Sequence, residues 1–159
     1  MQIFDFEIDF ESDVVNRQKI SLPVVNGAFC KELAKARTFG FLHEVEALWE
    51  AGLAKGGSLD NAIVVGHEGI MNEGGLRFDD EFVRHKVLDA FGDLYLAGAP
   101  VVGRFEGVCS GHAGNNKLLH ALFADDTAWT WDVVRGDAVR YAVDGGIHAD
   151  KSAEIRVAV

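Results

Sequence analysis

Cysteine and proline are scarce in this chain: each occurs twice in 159 residues. Cys30 and Cys109 lie far apart in the sequence and form neither a CxxC pair nor a disulfide framework. This scarcity excludes the small disulfide-stapled folds of secreted proteins, and we expect both side chains to be reduced thiols. Stability must then come from a hydrophobic core, for which a hydrophobic content of 48% is sufficient.

The sequence also lacks clusters of basic residues and runs of five like charges. Its formal net charge is −10, and an acidic surface repels nucleic-acid phosphates and anionic lipid headgroups. The first ten residues, MQIFDFEIDF, contain no basic segment and alternate acidic with apolar side chains, so they predict neither a signal peptide nor a membrane span. We therefore expect a cytoplasmic protein with no nucleic-acid partner and no transmembrane segment.

No repeat, low-complexity tract or linker divides the chain, which predicts a single domain over residues 1–159. Strict alternation over residues 3–10 predicts a half-buried strand, and residues 18–25 predict a second one. The short connection between them favours an antiparallel pair. A helix is predicted over residues 27–37, with Asn26 as its cap. Two strands followed by a helix are typical of an α+β fold.

Residues 40–65 predict a small β-α-β unit, in which a helix over 43–51 leads through GGS to a strand over 61–65. Its helix carries more apolar side chains than so small a unit can bury within itself, namely Leu42, Val45, Leu48 and Trp49. Two interpretations remain open for this surplus. It forms a wall for an apolar ligand, or it packs against the main core.

The most informative stretch is residues 77–98, which predicts an amphipathic helix with a broad apolar face and acidic residues in its first turn. His85, Asp89 and Asp93 are spaced four residues apart, so their side chains share one line beside that face. An imidazole and a carboxylate at this spacing can bind one cation, although a catalytic zinc also needs a third protein ligand. A solvated edge of an ordinary amphipathic helix is the alternative.

A strand over residues 101–108 leads into SGHAGNNKLLHALFA, which predicts a second helix with Leu118, Leu119, Leu122 and Phe123 on its buried face. His112 then lies at the corner between strand and helix, with Gly111 and Gly114 nearby. The glycines allow a ligand to approach the backbone closely. They equally permit a simple turn with a solvated His112.

A family resemblance rests on four motifs in this order and spacing: ARTFGF (36–41), GGSLDNAIVV (56–65), GLRFDDEFVRHKVLDAFGDLYLAG (75–98) and SGHAGNNKLL (110–119). From residue 1 to about residue 125 the chain resembles the C-terminal domain of UDP-3-O-acyl-N-acetylglucosamine deacetylase, the zinc-dependent amidase of lipid A synthesis in Gram-negative bacteria. With this resemblance we expect a two-layer α+β sandwich. A mixed, mostly antiparallel sheet would pack on two main helices, and the β-α-β unit would be an insert.

The resemblance implies a site centred on Zn²⁺. His85 and Asp89 would be zinc ligands, and His112 would stabilise the oxyanion and protonate the leaving amine, with Asp93 as its carboxylate partner. Thr38 would hydrogen-bond the tetrahedral intermediate. An acylated UDP-sugar would be the substrate. Lys86 would contact its diphosphate or its sugar, Phe39 would help to shape the sugar pocket, and Glu44 would also bind the substrate. The residues expected along an acyl-chain passage in the insert are Val45, Gly57, Ser58, Ala62 and Val64.

The resemblance also implies that part of the site lies elsewhere. In this family the third zinc ligand and the general-base glutamate belong to an N-terminal domain with a His-Thr-x-Glu-His type motif, which we do not find in this sequence. We expect the chain to supply the C-terminal half of a deacetylase and to need that N-terminal domain as its partner. The alternatives are a non-catalytic domain that binds an acylated UDP-sugar or a protein, and a purely structural domain in which His85 and Asp89 are surface residues.

Overall fold

The computed structural model describes residues 1–25, 27–134, 139–143, 146–150 and 155–158. Its strands and helices follow one another in the order β1 (Gln2–Ile8), β2 (Gln18–Val24), β3 (Thr38–Phe41), α1 (Leu42–Glu50), β4 (Ala62–Val65), α2 (Glu81–Leu94), β5 (Gly103–Val108), α3 (His112–Phe123), β6 (Trp131–Val134), β7 (Val139–Val143), β8 (Gly146–Asp150) and β9 (Ile155–Ala158). A mixed sheet packs against helices, which confirms the predicted two-layer α+β class.

The main sheet has the strand order β2-β1-β5. β1 pairs with β2 in antiparallel fashion, as the short connection predicted, and with β5 in parallel fashion. Alternate side chains of β1 point into the core: Phe4, Phe6 and Ile8 are at most 2% exposed. The alternation read from the sequence therefore identifies the buried face correctly.

Helix α2 lies against the inner face of this sheet and contributes most of the helical part of the core. The buried apolar side chains of α2 are Phe82, Val83, Val87, Ala90 and Leu94. They pack against side chains from β1, β4, β5 and α3, including Phe4, Ile63, Phe105 and Leu119. Three of the four side chains predicted for the inner face of α3 are buried or half-buried, but Leu118 is 47% exposed, so its prediction was wrong.

The central helix is shorter than the predicted range 77–98. It begins at Glu81, after Asp80, and is continued by a single 3₁₀ turn over Tyr95–Ala97. Gly98 then ends it with φ +81°, a left-handed conformation that suits glycine at a helix end. Phe78 lies before the helix, and the Arg84 guanidinium sits 4.6 Å from the centre of its ring.

The helix predicted over residues 27–37 is also shorter, because only one π-helical turn forms over Phe29–Leu33. The main-chain N–H of Arg37 donates to the Glu81 carboxylate instead of to a helical carbonyl, which draws the chain out of the helix. Leu33 and Ala36 of this segment are buried. Asn26, the predicted cap, lies outside the described residues.

The insert consists of β3 and β4, which pair in parallel fashion, and α1 between them. Ile63 and Val65 of β4 are buried in the core, whereas Ala62 and Val64 on the opposite face are half-buried. The register pairs Gly40 with Val64, and the Val45 methyl group of α1 approaches Gly40 so closely that a Cβ there would lie 3.2 Å from it. Helix α1 thus covers the outer face of the two strands.

The last part of the described chain forms two antiparallel pairs, β6 with β9 and β7 with β8. Trp129 packs edge-on against Phe123 at the end of α3, with ring centres 5.0 Å apart, and so joins this part to the helix before it. Nowhere in the described ranges does a helix have the length and apolar character required to cross a bilayer.

Candidate functional site

The polar stripe of α2 lies at the edge of the core, facing the insert. The side chains of His85 and Asp89 are each 14% exposed, and that of Asp93 is 17% exposed. They are therefore largely removed from water without being part of the hydrophobic core. The four-residue spacing places them along one side of the helix, as the sequence predicted.

His85 and Asp89 have the separation that a shared metal ion requires. His85 Nε2 lies 3.3 Å from Asp89 Oδ1. Two donors bound at about 2.0–2.1 Å to a tetrahedral zinc are roughly 3.3–3.4 Å apart. The pair therefore fits two neighbouring positions of a tetrahedral Zn²⁺ site.

The surroundings of His85 favour the neutral imidazole, which is the form that binds a metal. Burial lowers the pKa of His85 below its ordinary value of 6.5, and Lys86 adds to this effect, whereas the Asp89 carboxylate opposes it. Among the residues that the structure describes, the buried Nδ1 atom has no hydrogen-bond partner of ordinary geometry, although the Ala36 main chain lies close enough to favour a proton on the ring. Since Nδ1 is turned into the protein, Nε2 is the nitrogen available to a metal.

The pair supplies two ligands only. Within the described part of the chain, no group of three or more His, Cys, Asp and Glu side chains is arranged to hold a metal ion. A catalytic zinc normally has three protein ligands and one open position. A complete zinc site on this surface would therefore need a donor from outside the described residues.

The histidine at the start of α3 reaches the same place. His112 Nδ1 lies 3.0 and 2.9 Å from the two Asp93 carboxylate oxygens. This contact turns the other ring nitrogen toward the two candidate metal ligands, so that His112 Nε2 lies 3.9 Å from Asp89 Oδ2. Packing of α3 on α2 therefore brings the glycine-flanked corner and the polar stripe into one cleft.

This cleft is a cavity of about 390 Å³ between β3, the start of α1, α2 and His112. Seven of the predicted site residues line it: Thr38, Phe39, Glu44, His85, Lys86, Asp89 and His112. Lys86 Nζ lies 3.3 Å from Asp89 Oδ2 and 5.8 Å from the centre of the Phe39 ring. The Phe39 ring in turn meets the His85 ring at a steep angle, with centres 6.0 Å apart. An aromatic wall and a cation thus flank the two candidate metal ligands.

The five residues predicted for the acyl-chain passage lie outside this cavity. Val45, Ala62 and Val64 are half-buried where α1 covers the two strands of the insert. Gly57 and Ser58 lie in the exposed turn before β4, where Ser58 accepts main-chain hydrogen bonds from Asn61 and Ala62. The structure therefore does not bring these five residues to the cavity that His85 and Asp89 line.

Comparison with known proteins adds a family to this geometry. Residues 2–124 match the family model described as UDP-3-O-acyl N-acetylglycosamine deacetylase. The chain belongs to this deacetylase family. A UDP-3-O-acyl-N-acetylglucosamine deacetylase of Phenylobacterium zucineum (strain HLK1) is 60% identical over 124 residues, which are 78% of this chain and 42% of that protein.

Other relatives with the same name give a similar picture. The protein of Stenotrophomonas maltophilia (strain K279a) is 52% identical over 130 residues, or 79% of this chain and 42% of that protein. That of Neisseria gonorrhoeae (strain ATCC 700825 / FA 1090) is 52% identical over 126 residues, or 78% of this chain and 41% of that protein. The chain thus spans less than half the length of these relatives. The match to the deacetylase family model includes every candidate site residue and ends before Asp125.

Two features of the candidate site were missed in the sequence. Glu81 was interpreted only as one of the acidic residues that complement the N–H groups in the first turn of the helix, but it is 0% exposed and forms a buried ion pair with Arg37. Its carboxylate accepts the Arg37 Nε–H at 2.9 Å, the Arg37 Nη2–H at 3.0 Å and the Arg37 main-chain N–H at 3.0 Å. Burial alone would raise the pKa of Glu81, but these hydrogen bonds and one from the Arg77 main chain keep it below its usual value.

This ion pair attaches the start of β3 to the start of α2. Because Arg37 directly precedes Thr38 and Phe39, it sets their distance from His85, one turn further along α2.

The second missed feature is Asn115, which was interpreted only as a sign of a helix start. It is 1% exposed and contacts Asp93, and its position three residues after His112 on one helix was the available signal.

Proposed function

We propose that this chain supplies the C-terminal half of the active site of a zinc-dependent deacetylase. The reaction would be hydrolysis of the N-acetyl group of UDP-3-O-(3-hydroxyacyl)-N-acetylglucosamine, the committed step of lipid A synthesis. The single observation that carries the proposal is that His112, which Asp93 contacts through Nδ1, lines one cavity with His85 and Asp89. The printed names of the relatives and the family match support the choice of substrate.

In this proposal His85 Nε2 and an Asp89 carboxylate oxygen hold Zn²⁺. Zinc, when bound, polarises the amide carbonyl and lowers the pKa of water. The N-terminal domain of the family would provide the third ligand and the glutamate that accepts the water's proton. That domain is the partner we propose for this surface.

The residues of this chain would then handle the leaving group and the developing charge. Asp93 holds His112 through Nδ1, which leaves Nε2 to deliver a proton to the departing nitrogen as the carbon–nitrogen bond breaks. Thr38, which lines the same cavity, would donate its hydroxyl hydrogen to the oxyanion. The products would be acetate and a free amino sugar.

Binding would be divided between two parts of the chain. Lys86, Phe39 and Glu44 would contact the sugar and its diphosphate, because they line the same cavity as the catalytic pairs. The acyl chain would follow the insert past Val45, Gly57, Ser58, Ala62 and Val64. Each buried CH₂ contributes about 0.8 kcal/mol, so a chain of about ten carbons would dominate the affinity. A nucleotide-linked sugar substrate is consistent with the cytoplasmic location that we propose.

A chimera tests this function. Residues 2–124 would replace the matched segment of the Phenylobacterium zucineum relative, and release of acetate from the acylated UDP-sugar would be measured with and without Zn²⁺. We expect zinc-dependent turnover that falls about 10²- to 10⁴-fold in His112→Ala. His120→Ala, which removes an exposed histidine of the same helix, is the control and should retain activity.

A folded chimera that contains zinc and releases no acetate would contradict the proposal. Saturable binding of the acylated UDP-sugar without turnover would favour a non-catalytic binding domain instead.

A further inference from the structure

Beneath the exposed His112 lies a chain of polar contacts, of which the proposed reaction uses only the last, between Asp93 and His112. Asn115, in the first turn of α3, is 1% exposed, and its Nδ2–H donates to Asp93 Oδ2 at 2.8 Å. Ser110, just before the helix, donates its hydroxyl hydrogen to Asn115 Oδ1 at 2.7 Å. The order of contacts is therefore Ser110 to Asn115 to Asp93 to His112.

Only one orientation of the Asn115 amide satisfies both neighbours. The Asp93 carboxylate can only accept hydrogen bonds, so it must face the NH₂ group, and the amide oxygen then faces the Ser110 hydroxyl. The reverse orientation would place the amide oxygen against a carboxylate oxygen. Asp93 thus decides which way the amide faces, and the hydrogen bond from Ser110 holds the amide in that orientation against Asp93.

His112 has little else to hold it. Its side chain is 70% exposed, and its hydrogen bonds within the described residues go to Asp93 alone. An exposed imidazole on a carboxylate that could itself rotate would sample many directions. A buried donor on the far side of that carboxylate removes this freedom, because it holds Asp93 Oδ2 in place while His112 Nδ1 contacts the same oxygen.

We infer that Asn115, fixed by Ser110, is a positioning residue that directs His112 Nε2 toward the cavity through Asp93. This inference rests on the proposed function for its catalytic meaning, but the orientation of the imidazole can be tested without turnover. Asn115 touches no reacting atom. Its contribution is to keep the proton donor aligned.

The first test uses the chain itself and measures the ¹⁵N and ¹H resonances of the His112 ring, assigned by their loss in His112→Gln. Asn115→Asp keeps the size of the side chain and the acceptor for Ser110, but it removes the donor and places a second carboxylate beside Asp93. We expect the His112 Nδ1 resonances to shift and broaden, while the amide spectrum of the rest of the chain is retained. Asn116→Asp, the same substitution at the exposed neighbouring residue, is the control and should leave the ring resonances unchanged.

The second test uses the chimera described above. We expect Asn115→Asp to lower kcat on the order of tenfold to a hundredfold with little change in KM, because positioning acts on the proton transfer and not on substrate binding. Ser110→Ala, which leaves Asn115 in place but frees its amide, should give a smaller loss of the same kind. It also serves if Asn115→Asp does not fold.

The two tests separate the two ideas. An inactive wild-type chimera overturns the proposed function, whereas the His112 resonances still report on positioning. Unchanged resonances and unchanged kcat in both Asn115→Asp and Ser110→Ala overturn the positioning role. A KM increase at constant kcat would also overturn it, since that result assigns Asn115 to substrate binding.

Discussion

Helices α1 and α2 are both rich in apolar side chains, yet they use them in opposite ways. Helix α2 buries five apolar side chains in the core, and its inner residues Val83, Val87 and Ala90 are 0% exposed. Helix α1 buries none of its residues, and Leu48 and Trp49 are 41% and 54% exposed. The apolar side chains of α2 thus hold the fold together, whereas those of α1 remain available for contacts with something else.

The difference also explains how the cleft is built. The candidate metal ligands of the cleft, and the Asp93 carboxylate that contacts His112, come from α2. This helix is fixed by the core on one side and by α3 on the other. The outer wall of the cleft comes from the insert, which is attached to the rest through Ile63 and Val65 in the core and through the buried pair of Arg37 and Glu81. Groups that need exact placement lie on the rigid element, and groups that would meet a variable ligand lie on the less buried one.

The largest expected effect compares one aromatic side chain from each helix. Phe82→Ala removes a side chain that is 1% exposed and should lower the free energy of unfolding by about 3–5 kcal/mol. Trp49→Ala removes an even larger one from α1 but should change it by less than about 1 kcal/mol, because the ring is already half in water. Urea denaturation of the chain measures both. Equal losses would show that α1 belongs to the core.

The next effect compares one glutamate from each helix. Glu81→Gln leaves the Arg37 guanidinium buried without its counter-charge and should destabilise the chain by about 3 kcal/mol. Glu46→Gln in α1 changes an exposed carboxylate and should stay within about 0.5 kcal/mol of the wild type. Urea denaturation at neutral pH measures this difference. A Glu81→Gln chain as stable as the wild type would mean that Glu81 does not anchor the insert.

The smallest effect concerns pH and a histidine from each helix. Since burial lowers the pKa of His85, the unfolded chain takes up a proton below about pH 6.5 before the folded chain does. The contribution of neutral His85 is therefore complete above that pH and declines as the pH falls through the unfolded and then the folded pKa. Between pH 7 and pH 5, His85→Gln should lose less stability than the wild type.

His43→Gln, at an exposed position of α1, is the control for this measurement and should keep the wild-type pH dependence of the unfolding free energy. Identical pH profiles for His85→Gln and the wild type would contradict the lowered pKa of His85.

The sequence was sufficient to predict those features that depend on local periodicity. The alternation of Phe4, Phe6 and Ile8 identified the buried face of β1, and the spacing of His85, Asp89 and Asp93 identified one edge of α2. Both follow from the geometry of a single strand or helix. The α+β class followed from the order of these elements together with the family resemblance.

Features that depend on contacts between distant segments were not predictable in the same way. Nothing local distinguishes Glu81 from its acidic neighbours Asp79 and Asp80, because its burial depends on Arg37, 44 residues earlier. The same contact draws residues 34–37 out of the predicted helix. The parallel pairing of β1 with β5 likewise depends on the path of the chain between them and not on either strand.

The exposure of His112 links assembly to chemistry. A proton donor that is 70% open to solvent exchanges its proton with bulk water, and it can serve a particular bond only when another body covers it. Under the proposed function, the domain that completes the metal site would also cover His112 and exclude bulk water from it. This chain without that domain would then be inactive because of its own structure, and no separate inhibitor would be needed to prevent it from hydrolysing other amides.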